Sequence, residues 1–276
     1  MSTIRSVLLH LDATPSSAAR LDFARSFALR HEAALSVMFV ASPLQRPLQL
    51  ALSESPAALQ QPMDWAAMEC TKSMFDNALA NGGLPMRWLE SNGADTVEAF
   101  CRQALYADLL VLGQHDPCAA LPGSVPKGFV ESVLIDTDRP AIILPFAGRF
   151  ETASRDVLIG WNATPQGARA ITAALPWLRS ARRVHVLEVT DEPVQHHTGE
   201  LDIEQYLRFQ GIVPALHRHR TSPTDAGEFL LSFAREVGAD LLVMGCYGHS
   251  RAREFMLGGA SRSVLKSMTL PVLMAH

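Results

Sequence analysis

The stretch ADLLVLG at residues 107–113 returns almost unchanged as ADLLVMG at residues 239–245. Two further landmarks recur in the same order along the chain. They are VLLHLDATP at 7–15 with VLIGWNATP at 157–165, and the SVL of 132–134 before Pro140 with the SVL of 263–265 before Pro271. Three ordered landmarks indicate that a whole domain has been duplicated.

The spacing of the landmarks places the two copies. The first landmark recurs after 150 residues and the second after 132, so the first copy carries about 18 extra residues, which we assign to the Pro- and Ser-bearing segment 41–62. The apolar pattern is interrupted between Phe146 and Ser154. We therefore predict a first domain over residues 1–147 and a second over 154–276.

Each copy alternates short apolar runs with helical patterns. The runs are nearly continuous, as in VLLHL and LLVMG, which is typical of parallel strands covered on both faces. Strands are predicted near 4–11, 34–40, 85–90, 108–112 and 141–145, and near 156–160, 183–189, 213–219, 240–244 and 271–275. A Thr-Pro pair, Thr14-Pro15 or Thr164-Pro165, is expected to cap and start the first helix of each copy. The pattern predicts an α/β fold of two doubly wound domains.

Composition excludes several classes of protein. A net charge of −4 with scattered Lys and Arg gives no basic surface for nucleic acid. No apolar run is long enough for a membrane span, and the first residues do not read as a secretory signal. The four cysteines form no CxxC pair. We expect a cytoplasmic protein without nucleic-acid or membrane partners.

The loop after the fourth strand of the second copy has the composition of an anion site. Glycines let the backbone turn tightly and approach a ligand, and a helix predicted to begin near Ala260 would present free N–H groups to phosphate. The residues are Gly245, Gly248, Gly258, Gly259 and Ser261. The alternative is that these glycines only make turns and the serine only caps the helix.

Gly245, Gly248 and Gly258, spaced as GxxG, nine residues and Gly after a strand, resemble the phosphate loop of ATP-binding universal stress proteins. The ending LGGASRSVLKSMTLPVLMAH is similar to the end of that family too. The resemblance implies five-stranded parallel sheets in the order 3-2-1-4-5, an adenine nucleotide alpha hydrolase-like fold. It also implies pairing of two domains, here within the chain, with a homodimer as a further assembly.

The resemblance also implies roles for single residues. Asn162 would face the ribose, Val189 and Met244 would border the adenine, and ATP with Mg²⁺ would be the ligand. The phosphates would be surrounded by Gly245, Gly248, Gly258, Gly259 and Ser261. Two positions depart from the family pattern, because Asn162 replaces an aspartate and Gly259 replaces a serine or threonine.

The first copy has the opposite pattern. It keeps Asp12 after its first strand but retains only Gly113 of the first glycine pair, with Asp116 at the second position. Lys127 and Gly128 stand where the second copy has Gly258 and Gly259, and prolines remove N–H donors from the loop. We predict that the first domain does not bind nucleotide in the family manner.

Other candidates are weaker. His217 and His219 share one face of a predicted edge strand but lack further ligands, so no metal site is predicted. Cys246 could be redox-sensitive, although a buried filler is the ordinary interpretation. Trp161 and Tyr247 could stack on a base or simply pack.

No catalytic residues are predicted, because no nucleophile triad or acid–base dyad is present. Three hypotheses follow: a stress-response protein that binds adenine nucleotide in its C-terminal domain, a nucleotide-independent interaction protein of the same fold, and a slow ATPase. A dedicated enzyme is not expected.

Overall fold

The computed structural model describes residues 4–40, 65–89, 96–116, 128–152, 154–190, 201–220, 226–246 and 259–276. Packing divides the chain into two compact units. The first comprises Met1–Arg139 with Phe146–Gly148, and the second comprises Pro140–Pro145 with Arg149–His276.

The first unit contains a parallel sheet in the order β3-β2-β1-β4. Its strands are β1 (Ser6–Leu11), β2 (Ala34–Phe39), β3 (Met86–Leu89) and β4 (Leu109–Gly113). Its helices are α1 (Ser16–His31), α2 (Trp65–Ala80), α3 (Thr96–Ala104) and α4 (Phe129–Thr137). β1 and β4 are almost wholly buried, as expected for central strands between layers of helices.

The second unit contains the order β5-β10-β9-β6-β7-β8. Its strands are β5 (Ala141–Leu144), β6 (Asp156–Trp161), β7 (Arg183–Thr190), β8 (Pro214–Arg220), β9 (Leu241–Gly245) and β10 (Val272–Ala275). Its helices are α5 (Pro165–Leu178), α6 (Ile203–Phe209), α7 (Ala226–Glu236) and α8 (Gly259–Ser267). The five strands from β6 to β10 are parallel in the predicted order 3-2-1-4-5, which confirms the fold class.

β5 makes one pairing that was not predicted. By sequence it is the fifth strand of the first copy, yet it packs in the second unit and pairs antiparallel with β10, with Ile142 opposite Leu273. All four residues of each strand are buried. An exposed apolar edge strand presents unpaired N–H and C=O groups that favour aggregation, and this pairing covers the outer edge of β10. The domain limits 1–147 and 154–276 stay a prediction, because packing assigns β5 differently.

The two Thr-Pro pairs behave differently. Thr164 is the N-cap of α5, as predicted, and its hydroxyl accepts a hydrogen bond from the Gly167 N–H at 3.2 Å. The prediction is wrong for Thr14, because α1 begins at Ser16 without a side-chain cap and the Thr14 hydroxyl donates to the Asp12 carboxylate at 2.5 Å.

The helices of the described ranges include none that is both long and apolar enough to cross a membrane.

Candidate functional site

The carboxyl ends of β6 and β9 form the switch point of the second unit. β6 pairs with β7 on one side and with β9 on the other, with Gly160 opposite Met244. In doubly wound sheets, ligands bind outside the strand ends at this point. Asn162 follows β6 directly and is exposed, whereas Met244 is buried and Gly245 ends β9.

A short chain of hydrogen bonds fixes Asn162. Its side-chain oxygen accepts from the Thr164 hydroxyl at 2.8 Å, and the same hydroxyl caps α5 through Gly167. The amide group of Asn162 is therefore oriented by the start of α5 while its side chain remains exposed. An exposed amide held in one orientation can bind a ligand hydroxyl.

Gly245 has a packing role that depends on no ligand. A Cβ at this position would lie 2.5 Å from the backbone nitrogen of Gly167 and 2.7 Å from the carbonyl carbon of Gln166. The first turn of α5 is thus seated directly on the end of β9. Glycine is required here because the backbone of a helix occupies the space of a side chain.

The predicted adenine side lies at the ends of β7 and β9. Trp161 is opposite Glu188, so the half-buried Val189 is at the level of Asn162 on the neighbouring strand. Trp161 is half-buried, and its ring would meet a Cβ on Gly167 at 3.2 Å, which favours packing over base stacking. Cys246 is buried, as expected of a small core residue.

The predicted phosphate side is described in part. Gly259 is exposed and begins α8, close to the predicted start, and Ser261 is buried in its first turn. The first turn contains no acidic residue. α8 packs against α7, where a Cβ on Gly227 would lie 2.6 Å from the Ala260 carbonyl oxygen. Gly248, Gly258 and Tyr247 lie outside the described residues.

The equivalent position in the first unit is closed. Asp12 is buried, and its carboxylate accepts hydrogen bonds from the hydroxyls of Thr14 at 2.5 Å and Ser17 at 2.6 Å. Nη2 of Arg20 forms an ion pair with the same oxygen at 2.5 Å, and both side chains are 2% exposed. A Cβ on Gly113 would coincide with the Arg20 guanidinium. The ribose-type carboxylate of this unit already has a partner.

The charges of this group shift its pKa values. Burial alone would raise the pKa of Asp12, but Arg20 and hydrogen bonds from Ser17 and Thr14 lower it to about 2. His10 is buried two residues earlier, and burial, followed by the charge of Arg20, lowers its pKa to about 4. Its Nε2 lies 3.0 Å from the Val40 carbonyl oxygen, while its Nδ1 has no partner.

The shared face of His217 and His219 on an edge strand was predicted, but its contacts were not. His217 and His219 share a face, but that face packs against Phe233 and Phe229 of α7. The polar partner of His217 is His185, with Nδ1 of His185 3.1 Å from Nε2 of His217. Over the described ranges, no three His, Cys, Asp or Glu side chains are grouped to hold a metal ion.

Sequence reasoning missed four residues of these clusters: His10, Arg20, Thr71 and His185. A signal existed for Arg20, which continues the buried stripe of Ser17, Leu21 and Ala24 on α1 at helical spacing. His10 stands within the apolar run VLLHL and was therefore also a candidate for burial. Thr71 and His185 gave no comparable signal, because their partners are distant in sequence.

The C-terminal quarter of the chain matches a known protein family. The model of the Universal stress protein family matches residues 206–276, which contain β8, α7, β9, α8 and β10. A universal stress protein of Synechocystis is 24% identical over 172 residues. That match covers 60% of this chain and 57% of the relative, so the chain matches little more than half of the relative's length.

Solved structures show the same fold over nearly the whole chain. A universal stress protein from Archaeoglobus fulgidus has a TM-score of 0.72 and 17% identity, with 98% of this chain and 95% of that chain covered. A functionally unknown protein from Pseudomonas aeruginosa has a TM-score of 0.57 and 14% identity, with 99% and 92% covered. At these identities the likeness establishes the fold.

Proposed function

We propose that this chain is a stress-response protein of the universal stress protein kind that binds an adenine nucleotide, ATP with Mg²⁺ in the first instance, in its second unit. The observation that carries the proposal is the exposed Asn162 amide at the switch point between β6 and β9, held by Thr164. The family match to residues 206–276 supports the same unit.

The start of α8 supports the phosphate side of the proposal. Gly259 is exposed, the first turn has no acidic residue, and Ser261 adds a hydroxyl within it. A helix of this length presents unpaired N–H groups and partial positive charge at its start, which favours phosphate. Asn162 would bind the ribose, and Val189 and Met244 would border the base.

A second function is favoured by Gly245. Because the backbone of α5 occupies the space of its side chain, this glycine is needed for packing whether or not a nucleotide binds. A protein that interacts with partners without nucleotide would keep the same residue. The presence of Gly245 therefore does not distinguish the two functions, and only a test of ligand binding can separate them.

Ligand extraction and a charge substitution separate the two functions. Mass spectrometry of ligand released from the native protein should detect an adenine nucleotide, and added ATP with Mg²⁺ should raise the melting temperature. Gly259→Asp places a negative charge at the start of α8, which stabilises the helix but repels phosphate. The ATP-dependent shift should disappear without a fall in the melting temperature of the free protein.

Gly259→Asn is the matched control, because it has nearly the same shape without the charge and should keep the shift. If no nucleotide co-purifies and ATP leaves the wild-type melting temperature unchanged, the nucleotide proposal is wrong and the second function stands. ATP hydrolysis that is present in wild type and absent in Gly259→Asp would extend the proposal to a slow ATPase.

A further inference from the structure

Arg20 lies at the place in the first unit that corresponds to the switch point of the second. Both units carry an Asx residue after their first strand, Asp12 and Asn162, and a glycine at the end of their fourth strand, Gly113 and Gly245. The space beside that glycine is filled differently. In the second unit the backbone of α5 fills it, and in the first unit the guanidinium of Arg20 does.

The residues around the guanidinium form a built cation site. Nη2 of Arg20 lies 2.5 Å from Oδ1 of Asp12 and 2.6 Å from the hydroxyl oxygen of Ser17. The backbone N–H of Thr14 also donates to the carboxylate, at 3.1 Å, so the acceptor is held from several sides. The second unit has Asn162, Gly167 and Ala170 at the positions of Asp12, Ser17 and Arg20, and this set cannot form the same site.

The long helix α2 packs over this site at the end of β1. α2 has 16 residues, whereas α6, its counterpart in the second unit, has seven. The additional turns bring the buried Thr71 to the end of β1, where its hydroxyl lies 3.3 Å from the Asp12 carbonyl oxygen and 2.8 Å from that of Ala67. Asp12 is consequently buried, while Asn162 is exposed.

We infer that the guanidinium of Arg20 is an intramolecular ligand of the first unit: it occupies a guanidinium-binding site made by Asp12, Ser17 and Gly113 and keeps this crevice closed to external ligands. The inference concerns the first unit alone and does not depend on nucleotide binding in the second. The missing loop glycines already predict a lack of nucleotide binding in the first domain. Arg20 provides a different cause, because its side chain fills the crevice and is held by its own binding partners.

Chemical rescue tests the inference. Arg20→Ala should leave a vacancy beside a buried carboxylate, and methylguanidinium at millimolar concentration should fill it. The melting temperature of Arg20→Ala should rise by about 3 °C as the site saturates. Tetramethylammonium at the same concentration carries the same charge without N–H donors and should give no rise.

Two variants complete the test. Asp12→Asn/Arg20→Ala removes both charges, so no charge is left unpaired and methylguanidinium should have no effect. Arg182→Ala is the matched surface control, because Arg182 also pairs with a buried carboxylate, that of Asp156, but has a side chain that is 62% exposed. Methylguanidinium should not raise its melting temperature. Equal responses of Arg20→Ala, the double variant and Arg182→Ala would overturn the inference.

A measurement on the unmodified protein covers the case in which Arg20→Ala does not fold. ¹⁵N NMR of the arginine side chains should show slow hydrogen exchange at Nη2 of Arg20, because this group is buried and hydrogen-bonded to Asp12 and Ser17, whereas Nε is buried without a partner. Exchange as fast as that of Arg182 would mean that Arg20 is not held in the site, and the inference would fail.

Discussion

Nη2 of Arg20 lies 2.5 Å from Oδ1 of Asp12, and both side chains are 2% exposed. A buried ion pair contributes little net stability compared with an apolar pair, but removal of one partner leaves an unpaired buried charge. The pair therefore makes the first unit sensitive to single substitutions and tolerant of a matched double one.

A double-mutant cycle at this pair should be strongly non-additive. Arg20→Met should lower the free energy of unfolding by about 3–5 kcal/mol, because the Asp12 carboxylate would remain buried without its partner. Asp12→Asn/Arg20→Met should be more stable than Arg20→Met alone. Urea unfolding of the four proteins measures this, and additive effects of the two substitutions would contradict the coupling.

Acid should weaken the first unit through His10. The pKa of His10 is about 4 in the folded protein and 6.5 without the fold, so below pH 6.5 the unfolded chain takes up a proton that the folded chain does not. Stability is therefore highest above pH 6.5 and should fall by about 3 kcal/mol as the pH decreases to about 4. Below that, protonation of Asp12, whose pKa is lowered to about 2, should remove further stability.

His10→Phe isolates this contribution, since the ring already contacts Phe129 and Phe100. The variant loses the bond to the Val40 carbonyl, so it should be less stable at pH 7 but have a flatter stability profile between pH 6.5 and 4. Urea unfolding over this pH range is the measurement. A variant profile as steep as that of wild type would show that another group causes the acid sensitivity.

Gly245→Ala should destabilise the second unit even without a ligand. The new Cβ would meet the backbone of α5 at 2.5 Å, and a backbone cannot move aside cheaply. We expect a loss of about 2–3 kcal/mol. In Gly160→Ala the nearest atom, at 2.9 Å, belongs to the flexible side chain of Leu230, so the loss should be smaller. Equal losses in thermal unfolding would contradict the packing role of Gly245.

Thr164→Ala should remove the cap of α5 and lower the free energy of unfolding by about 1 kcal/mol. Thr164→Ser keeps the hydroxyl that accepts from Gly167 and should remain near wild type. Chemical denaturation of the two variants measures the difference. If they are equally stable, the hydroxyl is not the source of the effect.

Asn162→Asp should strengthen nucleotide binding if Asn162 faces a ribose hydroxyl. A charged acceptor adds about 1 kcal/mol to a hydrogen bond, which corresponds to an affinity about fivefold higher. Titration calorimetry with ATP and Mg²⁺ tests this, with Asn162→Leu as the control that should bind more weakly. Unchanged affinity in both variants would place the ligand away from Asn162.

Much of the fold could be predicted because it rests on local patterns. The run LLVMG at the end of ADLLVMG is apolar, and the corresponding strand β9 is central and almost wholly buried. The antiparallel pairing of β5 with β10 could not be predicted in the same way, since AIIL has no feature that identifies this partner strand. Pairing between strands so far apart along the chain is decided by the tertiary structure.

The candidate site was predicted only in part, because the sequence shows local patterns but not contacts between distant residues. Asn162 and Gly245 were found because they stand at the ends of strands that the sequence reveals. The packing role of Gly245 was not found, because the atoms that fill its side-chain space belong to Gln166 and Gly167, nearly 80 positions away in the chain.

The sequence by itself determined that the chain repeats an α/β domain, that each copy has an Asx residue after its first strand, and that the glycine loop is kept in the second copy. Only the tertiary structure decided what these residues can do. Asp12 is ionised although it is buried, because Arg20 on α1, eight residues later in the chain, pairs with it; at the exposed Asn162 the position of Arg20 is taken by Ala170, which has no cationic group. The sequence shows which residues differ, but the contact between Arg20 and Asp12 depends on how α1 packs against the strand end, which spacing along the chain does not fix.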